Sequence, residues 1–197
     1  RKIDNEEQLA KYHERIPVEY IVQGLIELPV EVSVFYYRFP WEQKGVVSGF
    51  IDKELLQVKG DGQLTLKELV ARHPRAKFRM EEMEHRHGHR FNRVIPKEEI
   101  FYLSYAGNHN RGAHFTNLHK EIDADLLKVF DDLSHYTDKF YYGRYDIKTT
   151  SIEDLKQGKN FQILEFNGCG AEPNHIYDCG MNLWKAYGVI LHHWKVL

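Results

Sequence analysis

Cysteine is scarce in this 197-residue sequence, and neither sign of charge is in clear excess. The two cysteines, Cys169 and Cys179, are too few for a disulfide framework and lack CxxC spacing, which favours a reducing, cytoplasmic setting. Because 27 lysines and arginines face 29 acidic residues, the net charge is −2, and we expect neither a nucleic-acid partner nor a membrane surface. No apolar run approaches the roughly 20 residues of a transmembrane helix.

The composition is that of a globular protein, with 42% hydrophobic and 28% charged residues. Residues 18–58 are rich in β-branched and aromatic side chains, broken at short intervals, which predicts an antiparallel meander. Alternation places one set of side chains on a single face of its second strand: Val30, Val32, Val34 and Tyr36. Further strands are predicted at 101–106, 140–148 and 160–167.

Capping residues predict where the helices begin. Asp4 opens a first helix that runs to about Arg15, and three later helices are predicted to start after Thr65, Asp123 and Ser151. Apolar residues at helical spacing predict a last helix within 181–197. Together these elements predict an α+β fold, a mostly antiparallel sheet flanked by helices.

Two carboxylates on neighbouring predicted strands are the first candidate site. Alternation predicts that Tyr142, Arg144 and Asp146 share one face, and that Phe161, Ile163 and Glu165 share another. A buried carboxylate is costly unless it is paired or bound to a cation. With Asn167, two residues beyond Glu165, the acids form a set of hard oxygen donors suited to Mg²⁺. The alternative is structural: Arg144 neutralises Asp146, and Glu165 pairs elsewhere.

The segment that holds these residues, GRYDI…QILEFNGCGAEPNHIYD (143–178), resembles the C-terminal metal-binding portion of the ATP-grasp superfamily. It is most similar to the D-alanine–D-alanine-ligase-like carboxylate–amine ligases. The resemblance implies that Asp146, Glu165 and Asn167 hold Mg²⁺ or Mn²⁺. It also implies a catalytic role for Arg144, which would face the ATP phosphates or the tetrahedral intermediate.

The resemblance extends upstream to residues 20–38, which look like the strand that reads adenine in this superfamily. It implies that Gln23, Leu25 and Ile26 contact the base and that Glu31 contacts the ribose. The loop GNHNRGA (107–113) matches a loop typical of the ligase-like branch, and it adds substrate-binding candidates: Asn108, Arg111 and Gly112.

ATP-grasp enzymes hold ATP between two lobes, and the earlier lobe supplies a lysine and a glycine-rich loop. Neither occurs in this sequence, and no GxxxxGK[ST] or GxGxxG motif replaces them. We therefore expect residues 1–197 to be the C-terminal portion of a longer enzyme, missing its N-terminal lobe and inactive alone. Lys53 and Lys59 are candidates to reach phosphate; the alternative is that both are exposed lysines at strand ends.

The expected divisions of this portion are a nucleotide hinge and meander (18–60), a charged, histidine-rich excursion (72–99), a metal and phosphate site (100–180) and the C-terminal helix (181–197). Within the excursion, an extended HRHGH segment would place three imidazoles on one face, but Gly88 and the nearby charges favour a loop without a physiological metal: His85, His87 and His89. His175, just after the metal strand, is a candidate substrate contact, or a loop histidine bonded to backbone.

The resemblance implies an ATP- and Mg²⁺-dependent ligase that joins a small-molecule carboxylate to an amine through an acylphosphate. The alternative is a degenerate, non-catalytic ATP-grasp module that binds a nucleotide or a partner. A histidine-based metal hydrolase is the weakest hypothesis, because no HExxH spacing is present.

Overall fold

The computed structural model describes residues 2–137, 140–177 and 179–197. The helices are α1 (Glu6–Arg15), α2 (Leu66–Arg72), α3 (Met80–His87), α4 (Ala124–Tyr136), α5 (Ile152–Lys156) and α6 (Leu183–Val196). The strands are β1 (Val30–Tyr37), β2 (Val46–Glu54), β3 (Gln57–Lys59), β4 (Ile100–Tyr102), β5 (His114–Asn117), β6 (Tyr142–Thr149) and β7 (Phe161–Asn167). In this part of the chain, no helix combines the length and the apolar character needed to cross a bilayer.

Five strands form one sheet in the order β5-β2-β1-β6-β7, and every neighbouring pair is antiparallel. Strands β3 and β4 form a separate antiparallel pair. The predicted α+β fold, a mostly antiparallel sheet flanked by helices, is confirmed.

The predicted helix starts hold because local side chains satisfy the first backbone amides. Thr65 and Glu68 form a capping box at α2. Asp123 caps α4 and Ser151 caps α5. At α1 the cap is Asn5, one residue after the predicted Asp4.

One face of the sheet carries the main core. The predicted alternation along β1 is confirmed, since Val32, Val34 and Tyr36 are fully buried there. Tyr145 and Ile147 of β6 lie on the same face, and α4 covers it with Leu126 and Phe130. Burying large apolar side chains is the main source of stability for such a layer. The opposite face of the sheet is therefore available for polar residues.

Residues 72–99 were predicted to form a charged, solvated excursion, and this prediction is wrong. They supply α3 and several short turns around a second buried cluster, which includes Leu66, Val70, Met83, Phe91, Ile95, Phe101 and Leu103. The imidazole Nε2 of His87 lies 2.9 Å from the Leu103 carbonyl oxygen, and His85 sits on α3, so the three histidines do not share an extended face. The apolar residues of this cluster are separated by charged residues in the sequence, so no local pattern predicts that they pack together.

The first strand of the predicted meander, at 18–28, is also absent. Residues 16–29 have no regular secondary structure. Alternating apolar residues supply one face of a strand, but a strand also needs a neighbour with which to pair. The described residues provide no such neighbour. The predicted strand at 101–106 is likewise reduced to β4, Ile100–Tyr102.

Helix α6 is attached to the sheet through a buried pair of histidines. His193 is 1% exposed and His175 is 8% exposed, with ring centroids 6.0 Å apart. Tyr142 Oη lies 3.1 Å from His193 Nδ1, whereas His193 Nε2 and His175 Nδ1 have no hydrogen-bond partner among the described residues. A Cβ atom on Gly49 of β2 would lie 2.1 Å from His175 Nδ1, so only glycine leaves room for this ring.

Burial lowers the pKa of both His175 and His193 to about 4, and the neighbouring histidines His119 and His192 add to the effect. A histidine whose pKa is lower in the folded than in the unfolded state binds fewer protons when folded. Its contribution to stability is therefore present above the unfolded pKa of 6.5 and is lost as pH falls towards 4.

We predict that the free energy of unfolding drops by roughly 2 kcal/mol for each of the two histidines, or about 4 kcal/mol in total, between pH 7 and pH 5, measured by urea denaturation. The His193→Gln variant should be less stable at pH 7 but show a smaller drop. The exposed His89→Asn variant should keep the full pH dependence. An unchanged drop in His193→Gln would contradict the assignment.

Candidate functional site

A cavity of about 1100 Å³ lies on the polar face of the five-stranded sheet. Its wall includes most of the residues that the sequence analysis singled out: Gln23, Leu25, Ile26, Glu31, Lys53, Asn108, Arg144, Asp146 and Glu165. Residues from six separate segments thus meet at one place. Its floor comes from β1, β2 and β6, while residues 21–27 and the loop 105–110 form its sides.

A β-bulge in β7 brings the two candidate acids together. Glu165 lies opposite Asp146, whereas Ile163 lies opposite the next residue of β6, Ile147, so Leu164 is the extra residue. The bulge turns Glu165 to the polar face. The expectation that Phe161, Ile163 and Glu165 share a face is therefore wrong. The two strands also differ in burial. Strand β6 is mostly buried, whereas β7 is an exposed edge strand.

Asp146 lies at the centre of a buried polar cluster. Lys53 Nζ of β2 is 2.8 Å from Asp146 Oδ1, and the two side chains are only 4% and 10% exposed. Arg144 Nε lies 3.3 Å from the same oxygen, and the Ser33 hydroxyl of β1 donates to it. Burial alone would raise the pKa of Asp146, but Lys53 and Arg144 together hold it below its usual value.

The cluster carries a net positive charge, since one carboxylate faces two cations. The first half of the structural alternative is what the structure shows: Arg144 neutralises Asp146, together with Lys53. Lys53 is buried and is not an exposed lysine at a strand end. Lys59 is exposed at the end of β3, where it pairs with Glu98 at the surface. A buried group with surplus positive charge on a cavity floor favours an anion.

Asn167 completes the predicted metal-binding set. It lies opposite Arg144 across β6 and β7, and its Nδ2 is 3.4 Å from Asp146 Oδ2. Asp146, Glu165 and Asn167 therefore occupy neighbouring positions on one face. Two carboxylates and an amide oxygen suit Mg²⁺ when phosphate oxygens complete the coordination shell. Within the described ranges, no group of three or more histidine, cysteine or acidic residues is placed to hold a metal ion.

The second end of the cavity surrounds Glu31, which is 8% exposed. Burial raises the pKa of Glu31, although Lys53 and Lys148 oppose this effect. A Cβ atom on Gly107 would lie 1.8 Å from Glu31 Oε1, so the loop 105–110 can pass this close only with glycine there. The apolar side chains of Leu25 and Ile26 line the same cavity as this carboxylate.

Three predicted substrate residues are not part of the wall. Arg111 pairs with Glu82 of α3 at 3.3 Å. Gly112 adopts a left-handed conformation, with φ of 88°, that ends a 3₁₀ turn. His175 is buried against β2 and α6, because the loop after β7 folds back over the sheet and turns this side chain inward. His175 is therefore not part of the cavity wall, and its substrate contact stays a prediction.

Several residues of the site were missed. Ser33 lies directly opposite Asp146 and is the one small polar residue in the buried strand β1, a signal that the sequence did contain. Glu172, Asn174 and Tyr177 also line the cavity or bond to its floor. They lie in an irregular loop, where spacing predicts no common face.

The geometry predicts that Lys53 has a large effect on stability. Lys53→Met should leave Asp146 with Arg144 alone, raise the pKa of Asp146 and lower the free energy of unfolding by about 3 kcal/mol. The matched variant Lys59→Met, at an exposed pair, should cost less than about 1 kcal/mol. Equal losses in urea denaturation would contradict the buried pair.

Comparison with known proteins shows the fold. No protein-family model and no curated protein matches the chain. A bifunctional glutathione synthetase from Pasteurella multocida, known from its crystal structure, matches with a TM-score of 0.50 and 14% sequence identity. The match covers 86% of this chain and 24% of that one, so the chain spans about a quarter of that protein's length. At this identity the likeness is one of fold: the chain has an α+β fold similar to that of part of this synthetase.

Proposed function

We propose that this chain is the ATP- and Mg²⁺-binding part of a carboxylate–amine ligase that acts through an acylphosphate. The observation that carries the proposal is the buried cluster of Lys53, Asp146 and Arg144 on the cavity floor, with Glu165 opposite Asp146. Its two cations suit phosphates, and its oxygen donors suit the metal that accompanies them.

Metal and nucleotide should bind together. Lys53 and Arg144 are both paired with the Asp146 carboxylate, so a divalent cation has to compete with both of them. A polyphosphate offers these two cations new oxygen partners, and Asp146 then becomes available to Mg²⁺ beside Glu165 and Asn167. Each ligand thus raises the affinity of the other.

The rest of the cavity suits the nucleoside. Leu25 and Ile26 offer apolar contacts to a base, and the Gln23 amide can hydrogen bond to its edge. Glu31, which lies close to the loop glycine Gly107, would accept hydrogen bonds from ribose hydroxyls. These roles follow the ATP-grasp resemblance, and their support here is that all of these residues share one cavity.

The chemistry proposed for this site needs no side-chain nucleophile. A substrate carboxylate oxygen attacks the γ-phosphorus, and the bond to ADP breaks. An amine nitrogen then attacks the acyl carbon, and phosphate leaves as the amide forms. Lys53 and Arg144 stabilise the charge of the transferred phosphoryl group, and Mg²⁺, held by Asp146, Glu165 and Asn167, would neutralise further negative charge.

We predict that the chain binds ATP weakly without Mg²⁺ and at least tenfold more tightly with it, measured by isothermal titration calorimetry. Glu165→Gln should remove this Mg²⁺ enhancement while the circular dichroism spectrum is unchanged, because Glu165 is exposed and supports no core contact. Glu153→Gln, an exposed change in α5, should bind like the parent. Mg²⁺ enhancement that survives in Glu165→Gln would contradict the proposed metal site.

The second candidate is a non-catalytic ATP-grasp module, favoured by the pairing of Asp146 with both Lys53 and Arg144, which engages the central carboxylate of the proposed metal site. We predict that residues 1–197 show no turnover, since phosphoryl transfer needs several cations and a closed site. The full-length gene product should release ADP and, with hydroxylamine present, convert a carboxylate substrate to a hydroxamate. Nucleotide binding without either product in the full-length protein would favour the binding module.

A further inference from the structure

One wall of the cavity combines a carboxylate with two stacked rings. Glu172 lines the cavity and accepts a hydrogen bond from the Tyr177 hydroxyl. The Tyr177 ring stacks on His109, with centroids 5.4 Å apart and planes 24° from parallel. The bond to Glu172, with burial, raises the pKa of Tyr177 to about 12, so its hydroxyl remains a donor at neutral pH.

This wall adjoins the proposed phosphate site. Arg144 Nη1 donates to the backbone carbonyl oxygen of Glu172 at 3.0 Å, and the same guanidinium contacts Asp146. A group bound at Glu172 would therefore lie next to the cations that face the phosphates.

The ion pairing of Glu172 differs from that of Asp146 and Glu31, two other acids in the cavity. Lys53 and Lys148 approach Asp146 and Glu31 respectively. By contrast, in the described part of the chain no lysine or arginine nitrogen lies within 4.0 Å of the Glu172 carboxylate. A carboxylate oriented by one hydroxyl donor, beside the π-faces of two stacked rings, is well suited to an organic cation.

We propose that Glu172, Tyr177 and His109 form the subsite for the amine substrate, with the Glu172 carboxylate binding its ammonium group and the ring pair contacting an apolar group next to the nitrogen. The substrate class is thus a primary amine that is positively charged in solution and carries an apolar or aromatic substituent. Its catalytic meaning rests on the proposed ligase function; the binding itself does not.

The test compares benzylamine with benzyl alcohol, a neutral molecule of nearly the same shape, by ligand-observed NMR titration of the 197-residue chain. We expect benzylamine to bind at least tenfold more tightly than the alcohol. Glu172→Gln should remove this preference and leave alcohol binding unchanged. Tyr177→Phe, which keeps the ring but removes the donor to Glu172, should reduce the preference in part. Glu153→Gln is the control and should behave like the parent chain.

Three results would overturn the proposal: equal binding of the two probes, a preference that survives in Glu172→Gln, or a preference lost in Glu165→Gln instead. The last would place the cation at the proposed metal position. ATP binding measured on the same samples separates the two claims. Failure to bind Mg²⁺ and ATP would remove the ligase function, and the amine preference would still decide the subsite.

Discussion

The ion pair between Lys53 and Asp146 is the contact on which the rest of the site depends. It joins β2 to β6 across β1, where Ser33 donates to the same carboxylate. Because charged groups lose their hydration when buried, this pair is tolerated only with close partners on every side. The largest apolar cluster of the sheet lies on the opposite face, and smaller ones lie at the end covered by α6 and around Ile51 and Phe115.

Features set by neighbouring residues could be predicted from the sequence. The caps at Thr65, Asp123 and Ser151 act within a few residues, and the alternation along β1 separates the side chains that face the main core from those on the other face. The resemblance to ATP-grasp ligases also named residues that the structure brings to one cavity, from Gln23 and Glu31 to Asp146 and Glu165.

Features set by distant contacts could not be predicted in this way. Nothing near Lys53 in the sequence signals that it is buried against Asp146. The bulge at Leu164 reverses the expected face of Glu165, and a single inserted residue leaves little trace in a short strand. His175 turns inward because Gly49, on another strand, leaves room for it. The cluster around Met83 and Ile95 likewise joins apolar residues that are isolated from one another in the sequence.

The most direct test of this account is a crystal structure of the chain with Mg²⁺ and a non-hydrolysable ATP analogue. We predict that phosphate oxygens replace the carboxylate of Asp146 as partners of Lys53 and Arg144. The metal should bind oxygens of Asp146, Glu165 and Asn167 at about 2.0–2.1 Å. A nucleotide bound elsewhere, or one bound in this cavity while Lys53 and Arg144 remain paired with Asp146, would contradict the account.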